Sequence, residues 1–166
     1  MFGKLLRSLV VVPVLVAMGT VGAAADTTGT GNNMTLTVPS SATLIARVAV
    51  PVTIDVTCTG SLDTSTFYYL QGPYYYSSAS VTVSQASGRA VNSATGYTNQ
   101  TIQCDGVSHS YPISVLASSP FHNGQAAITS SANWSESVFG CSYVLGCGSF
   151  SVQANASAQG PLSLSG

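Results

Sequence analysis

Residues 51–58 read Pro-Val-Thr-Ile-Asp-Val-Thr-Cys, and this octapeptide decides the fold that the sequence predicts. Every second residue is apolar or a cysteine, in the order Val52, Ile54, Val56 and Cys58. The residues between them are polar. A period of two is typical of an antiparallel strand that buries one face and exposes the other. We therefore predict a half-buried strand here.

Similar alternation recurs along the rest of the chain, at residues 34–38, 80–85, 109–116 and 150–156. Tight-turn signals, Asp105-Gly106 and Asn123-Gly124 among them, lie between these segments. No stretch has a helical period or helix caps. About seven short strands with frequent turns predict an all-β sandwich or barrel.

Residues 1–25 have the layout of a secretory signal peptide. A basic start precedes an apolar run at 9–18, and small residues lead up to Ala25. The apolar run is shorter than the roughly 20 residues that a membrane-spanning helix needs, which disfavours an uncleaved anchor. We expect cleavage after Ala25, so that residues 26–166 form a single secreted domain without a membrane segment.

The exported part contains all the cysteines of the chain: Cys58, Cys104, Cys141 and Cys147. An even number in an oxidising compartment predicts two disulfides, and four cysteines allow three pairings. The favoured pairing closes a short loop between Cys141 and Cys147 and leaves Cys58 to join Cys104. The C-x₂-C spacing of zinc sites is absent, so we expect no metal, no cofactor and no catalytic thiol.

Charge is unusually sparse, since 5% of the residues are charged, against about 25% in a typical soluble protein. Nucleic-acid binding needs a basic footprint, so we expect no nucleic-acid partner. Electrostatic adhesion to anionic lipids is disfavoured for the same reason. Disorder is also disfavoured, because 45% of the residues are hydrophobic and they alternate in ordered runs.

One segment, residues 66–76, breaks the alternation. It holds five of the eight tyrosines: Tyr68, Tyr69, Tyr74, Tyr75 and Tyr76. Gly72-Pro73 is a turn signal, which predicts a projecting hairpin or loop. Tyrosine combines a wide contact area with low rotamer entropy and a hydroxyl group, which favours binding to an extracellular glycan or protein. The alternative is that these rings pack into the core or cover a sheet edge.

Motifs that would carry catalysis are missing. The chain has no G-x-S-x-G nucleophile elbow. His109 and His122 could act as a general base or a metal pair, but both lie near turns, where a surface role is simpler. Asp63 and Glu136 are the carboxylates left as a pair for glycoside hydrolysis. We expect a non-enzymatic protein with no catalytic residues.

A family resemblance rests on Gln103-Cys104-Asp105-Gly106 followed by His109, and on the later Phe121-x-x-Gly124-x-Ala126. With Cys58 and Val81-x-Val83-x-Gln85, this pattern resembles small secreted actinobacterial proteins of unknown function. It covers roughly residues 52–132. The resemblance implies an immunoglobulin-like sandwich with Cys58 linked to Cys104, and it brings no activity. The tyrosine-rich segment is an insertion relative to the pattern.

Together these observations predict an immunoglobulin-like antiparallel β-sandwich of about seven strands with two disulfides. We interpret it as a secreted binding module that contacts a glycan or a protein through residues 68–76. A structural or coat protein is an alternative, because sparse charge and long Ser/Thr faces favour edge-to-edge association. A small-molecule carrier is another, because the Cys141–Cys147 loop before the last strand resembles secreted carriers of enediyne antibiotics. An enzyme is the fourth hypothesis.

Overall fold

The computed structural model describes residues 25–166, so the predicted signal peptide, apart from Ala25, lies outside the described residues. No helix in this range is long and apolar enough to cross a membrane. The same range contains nine strands: β1 Thr27–Thr30, β2 Met34–Val38, β3 Ser41–Thr43, β4 Ala49–Thr59, β5 Phe67–Ser87, β6 Ala90–Tyr97, β7 Asp105–Leu116, β8 Gly124–Ser142 and β9 Gly146–Ser165.

The strands form two sheets that pack face to face as a sandwich. The first sheet has the order β1-β2-β4-β7, and the second has the order β3-β9-β8-β5-β6. All neighbouring strands are antiparallel except β3, which runs parallel to β9. The predicted all-β sandwich is therefore confirmed, with one short parallel pair at an edge.

The core lies between the two sheets and is built from alternate residues of each. Val52, Ile54, Val56 and Cys58 of β4 are all buried, as their alternation predicts. Val81 and Val83 of β5 and Ile128 of β8 are buried from the opposite side. Trp134, the single tryptophan, joins the same core cluster.

Three strands are much longer than predicted. β5, β8 and β9 contain 21, 19 and 20 residues. Their pairing continues past the end of β4, and residues 67–77, 134–142 and 146–154 together make a three-stranded projection that we call the extension. The extension, rather than a loop, carries the tyrosine-rich segment.

The predicted hairpin or loop at Gly72-Pro73 is wrong. Residues 67–87 form one strand, whose pairing with β8 shifts register between Gln71 and Tyr74. β6 pairs with β5 only from Ser80 onward, so residues 67–79 form an edge. Proline has no backbone N–H and cannot donate to a sheet ladder. Pro73 is tolerated here because it lies at a bulge on an edge strand, where that donor is not needed.

Both predicted disulfides are present. Cys58–Cys104 joins β4 to the residue before β7, so this bond ties together two neighbouring strands of the first sheet. Cys141–Cys147 joins residues that stand directly opposite each other near the tip of the β8–β9 hairpin. Gly146 closes that hairpin with a φ of +75°, the left-handed conformation typical of the residue after a short hairpin turn.

Candidate binding site on the extension

The tyrosines of the extension separate onto two faces. Trp134 is buried on the inner face of β8, so the alternate residues Ser135 and Ser137 point outward. Tyr76 and Tyr74 stand opposite these two serines in the β5–β8 register. Both rings therefore project from the outer face, away from the core.

Tyr69 lies on the same outer face, opposite Cys141. Phe139 of β8 also points outward, between the rows of Tyr69 and Tyr74. We call these four side chains the aromatic face, with exposed fractions of 52% for Tyr69, 58% for Tyr74, 66% for Tyr76 and 43% for Phe139. The aromatic face is thus open to solvent along its whole length.

The row of rings is long. Tyr69 and Tyr76 are opposite Cys141 and Ser135, which are six residues apart along β8. At 3.3–3.4 Å per residue the row measures about 20 Å. Tyr74 and Tyr76, two residues apart in one strand, are about 7 Å from each other. This length suits an extended ligand better than a compact one.

The surface beside the rings is polar and uncharged. The outer rows of β8 and β9 next to the tyrosines contain small hydroxyl and amide side chains: Ser135, Ser137, Ser149, Ser151 and Gln153. No Asp, Glu, Lys or Arg lies in the outward register positions of β5, β8 or β9. The ligand that matches this face is neutral and rich in hydrogen-bonding groups.

Two of the predicted tyrosines lie elsewhere. Tyr75 is on the inner face, opposite Glu136, and its ring centroid is 6.2 Å from that of Trp134. Tyr68 is at the tip, where its ring centroid is 4.6 Å from that of Tyr143. The five tyrosines therefore do not form one surface, and Phe139 and Tyr143 are aromatic contributors that the sequence pattern did not reveal.

A small apolar cluster supports the extension from its inner face. Phe67 packs edge to face on Phe150 with ring centroids 4.8 Å apart, and Val138 between their strands is buried. Edge-to-face pairs stabilise by about 0.5–1.5 kcal/mol beyond their burial. This packing supports the three strands from the side opposite to the outer rings.

Replacing Gly140 by alanine is expected to destabilise the protein by about 1–3 kcal/mol. An added Cβ would lie 2.5 Å from Cδ1 of Phe67 and 2.9 Å from the carbonyl oxygen of Tyr69, so the ring and the strand would have to move. Urea unfolding followed by the emission of Trp134 measures the change.

Gly148 provides the matched control, because it is the cross-strand partner of Gly140 and a Cβ there meets no atom within 4 Å. Gly148→Ala is expected to be neutral or stabilising by up to about 1 kcal/mol, since alanine restricts the unfolded chain. Equal destabilisation by the two substitutions would contradict the claim that Phe67 packs directly against the backbone of Gly140.

A cleft opens on the inner face of the extension. It has a volume of about 450 Å³ and lies between Tyr75, Trp134 and Glu136 on one side and residues 101–105 on the other. Residues 101–104 belong to the irregular connection between β6 and β7, and Asp105 begins β7. The connection is held by Ile102, whose N–H donates to Ser77 Oγ at 3.0 Å. We call this space the inner cleft.

Two exposed carboxylates have lowered pKa values, and one of them, Asp105, lines the inner cleft. The backbone N–H of Val107, and then the His109 side chain, lower the pKa of Asp105. The backbone N–H and then the hydroxyl of Ser65 lower the pKa of Asp63. Hydrogen bonds to an ionised carboxylate favour that form. Neither group has the raised pKa that a general acid of glycoside hydrolysis needs.

The two histidines lie at opposite ends of the sandwich and do not form a pair. His109 stands opposite Val56 near the end of β4, with its Nε2 2.9 Å from Asp105 Oδ1. His122 lines a depression with Arg47, which precedes the start of β4. A site that uses both imidazoles is therefore incompatible with the fold.

Neither a metal-binding cluster within residues 25–166 nor a similar known protein helps to define the site. Within residues 25–166, no group of three or more His, Cys, Asp or Glu side chains could hold a metal ion. Comparisons of the chain with protein-family models, with curated proteins and with solved structures find no match. The candidate site is defined by side-chain placement: the aromatic face outside and the inner cleft beneath it.

Proposed function

We propose that this chain is a secreted, non-enzymatic binding module whose aromatic face holds an extended, uncharged glycan. The observation that carries the proposal is the row of Tyr69, Tyr74 and Tyr76, each more than half exposed on a sheet face without charged residues. Soluble proteins rarely display such an apolar row unless it binds something.

Glycan chemistry matches this surface at two levels. The C–H faces of sugar rings are apolar and stack on tyrosine, which loses little rotamer entropy when it binds. The hydroxyl groups of the sugars can exchange hydrogen bonds with the neighbouring Ser137, Ser151 and Gln153. A polymer can contact all three tyrosines at once, whereas a single sugar is much shorter than the row.

We further propose that the sandwich is immunoglobulin-like. The adjacent strands β9-β8-β5 correspond to the G-F-C order of that fold, and β2-β4-β7 correspond to A-B-E. The bond Cys58–Cys104 departs from the antibody pattern, in which the disulfide bridges the two sheets. Two disulfides and a signal-like leader support secretion.

The alternative of a self-associating coat protein has weaker support. Residues 67–79 of β5 do present an edge without a paired strand among the described residues. However, Pro73 lacks a donor and the bulge interrupts the ladder at the middle of this edge, and both features protect strand edges from pairing with a second chain.

Retention on insoluble polysaccharide tests the proposal. The mature protein is expected to sediment with at least one of cellulose, chitin and mannan. Because the aromatic face carries no charge, retention should persist at about 1 M salt, where the Debye length is near 3 Å. Retention by none of these polymers, or its release by salt, would contradict binding through the aromatic face.

A further inference from the structure

We propose that the inner cleft is a second binding site, which takes the ammonium group of a small primary amine between Glu136, Tyr75 and Trp134. This site is on the face opposite to the aromatic face. It is therefore independent of the proposed glycan binding.

Glu136 is the reason to expect a cation. Its side chain is on the inner face of β8 and the residue is 9% exposed. Its one hydrogen bond from the described residues is donated by the backbone N–H of Leu62 to Oε2 at 3.2 Å. Burying a carboxylate is unfavourable unless it is paired, so a bound cation would relieve this cost.

No side chain of residues 25–166 supplies that cation. Asp105, which also lines the inner cleft, has the imidazole of His109 as a hydrogen-bond partner at 2.9 Å, and no Lys or Arg side chain in this range pairs with a carboxylate. Asp105 therefore already has a side-chain partner, whereas Glu136 has no side-chain partner within that range. A cation that enters the cleft would meet an available carboxylate at its floor.

The aromatic walls favour an organic cation over a metal ion. The rings of Tyr75 and Trp134 are tilted by 37° with centroids 6.2 Å apart, and the negative faces of such rings attract ammonium groups. A calcium ion needs six to eight oxygen ligands, which one available carboxylate does not provide. A primary ammonium can donate to Glu136 while its carbon chain contacts the rings.

Binding of butylammonium chloride tests this proposal, with 1-butanol as the neutral probe of similar shape. Trp134 is the single tryptophan, so its emission reports on the inner cleft directly. We expect a saturable change in emission with butylammonium and none with 1-butanol at the same concentrations. Absence of a saturable response to butylammonium, or an equal response to 1-butanol, would overturn the proposal.

Three variants locate the site. Glu136→Gln removes the charge but keeps an acceptor for Leu62, and should weaken butylammonium binding by about tenfold or more. Tyr75→Ala should weaken it by about threefold. Tyr76→Ala, on the outer face, should leave it unchanged.

Fold integrity and independence from glycan binding are checked with the same proteins. The far-ultraviolet circular dichroism of Glu136→Gln should match the parent, and Tyr75→Ala serves as the second variant if it does not. Unchanged affinity in both variants would overturn the proposal. Retention on polysaccharide should be unaffected by Glu136→Gln, so failure of one binding activity does not imply failure of the other.

Discussion

Replacing Cys58 and Cys104 together by alanine is expected to lower the free energy of unfolding by about 4 kcal/mol. The bond closes a loop with a sequence separation of 46 residues, and the chain-entropy model converts that length into about 4 kcal/mol at 25 °C. Cys58 is also fully buried in the core, so the lost packing adds to the effect. A typical domain has only about 5–15 kcal/mol of stability.

The double variant of Cys141 and Cys147 is the control for this prediction. That bond closes a separation of 6 residues, for which the same model gives about 2 kcal/mol. Urea unfolding of both double variants without reducing agent, followed by Trp134 emission, compares them. A smaller loss from removal of Cys58–Cys104 than from removal of Cys141–Cys147 would contradict this account of the stability.

Replacing Tyr69, Tyr74 and Tyr76 together by alanine is expected to reduce the affinity for a retained polysaccharide by about 100-fold. The estimate assigns about 1 kcal/mol to each ring, and 1.4 kcal/mol is tenfold in affinity. All three side chains are more than half exposed, so each substitution should change stability by no more than about 0.5 kcal/mol. Depletion isotherms on the insoluble polymer measure the affinity.

Tyr75→Ala and Tyr97→Ala are the matched controls. Tyr75 is equally exposed but lies on the inner face of the same strand, and Tyr97 is exposed on β6, outside the extension. Both variants should retain the parent affinity. An unchanged affinity of the triple variant, or an equal loss in Tyr97→Ala, would remove the aromatic face as the glycan-binding surface.

The sequence predicted the parts of the fold in which one face is buried. Val52, Ile54 and Val56 alternate with polar residues because β4 lies between the core and solvent. The extension gave no such signal, since residues 67–76 of its edge strand are all exposed or half-buried. Gly72-Pro73 is a local turn signal, and only the three-dimensional context of an edge converts it into a bulge.

The candidate site was predictable in composition but not in arrangement. Tyr69 and Tyr74 are five residues apart, which in a regular strand would place them on opposite faces. The register shift between Gln71 and Tyr74 returns them to the same face. The inner cleft depends on residues 101–105 crossing beside Glu136, and such long-range contacts leave no local pattern in the sequence.

Fluorine NMR of the mature protein labelled with 3-fluorotyrosine tests the aromatic face most directly. The chain has eight tyrosines, and single Tyr→Phe variants assign their signals. On addition of soluble oligosaccharides of the retained polymer, the signals of Tyr69, Tyr74 and Tyr76 should shift together with one affinity, while those of Tyr97 and the buried Tyr111 stay fixed. Shifts confined to Tyr97, or to any tyrosines other than these three, would contradict the assignment of glycan binding to the outer face of the extension.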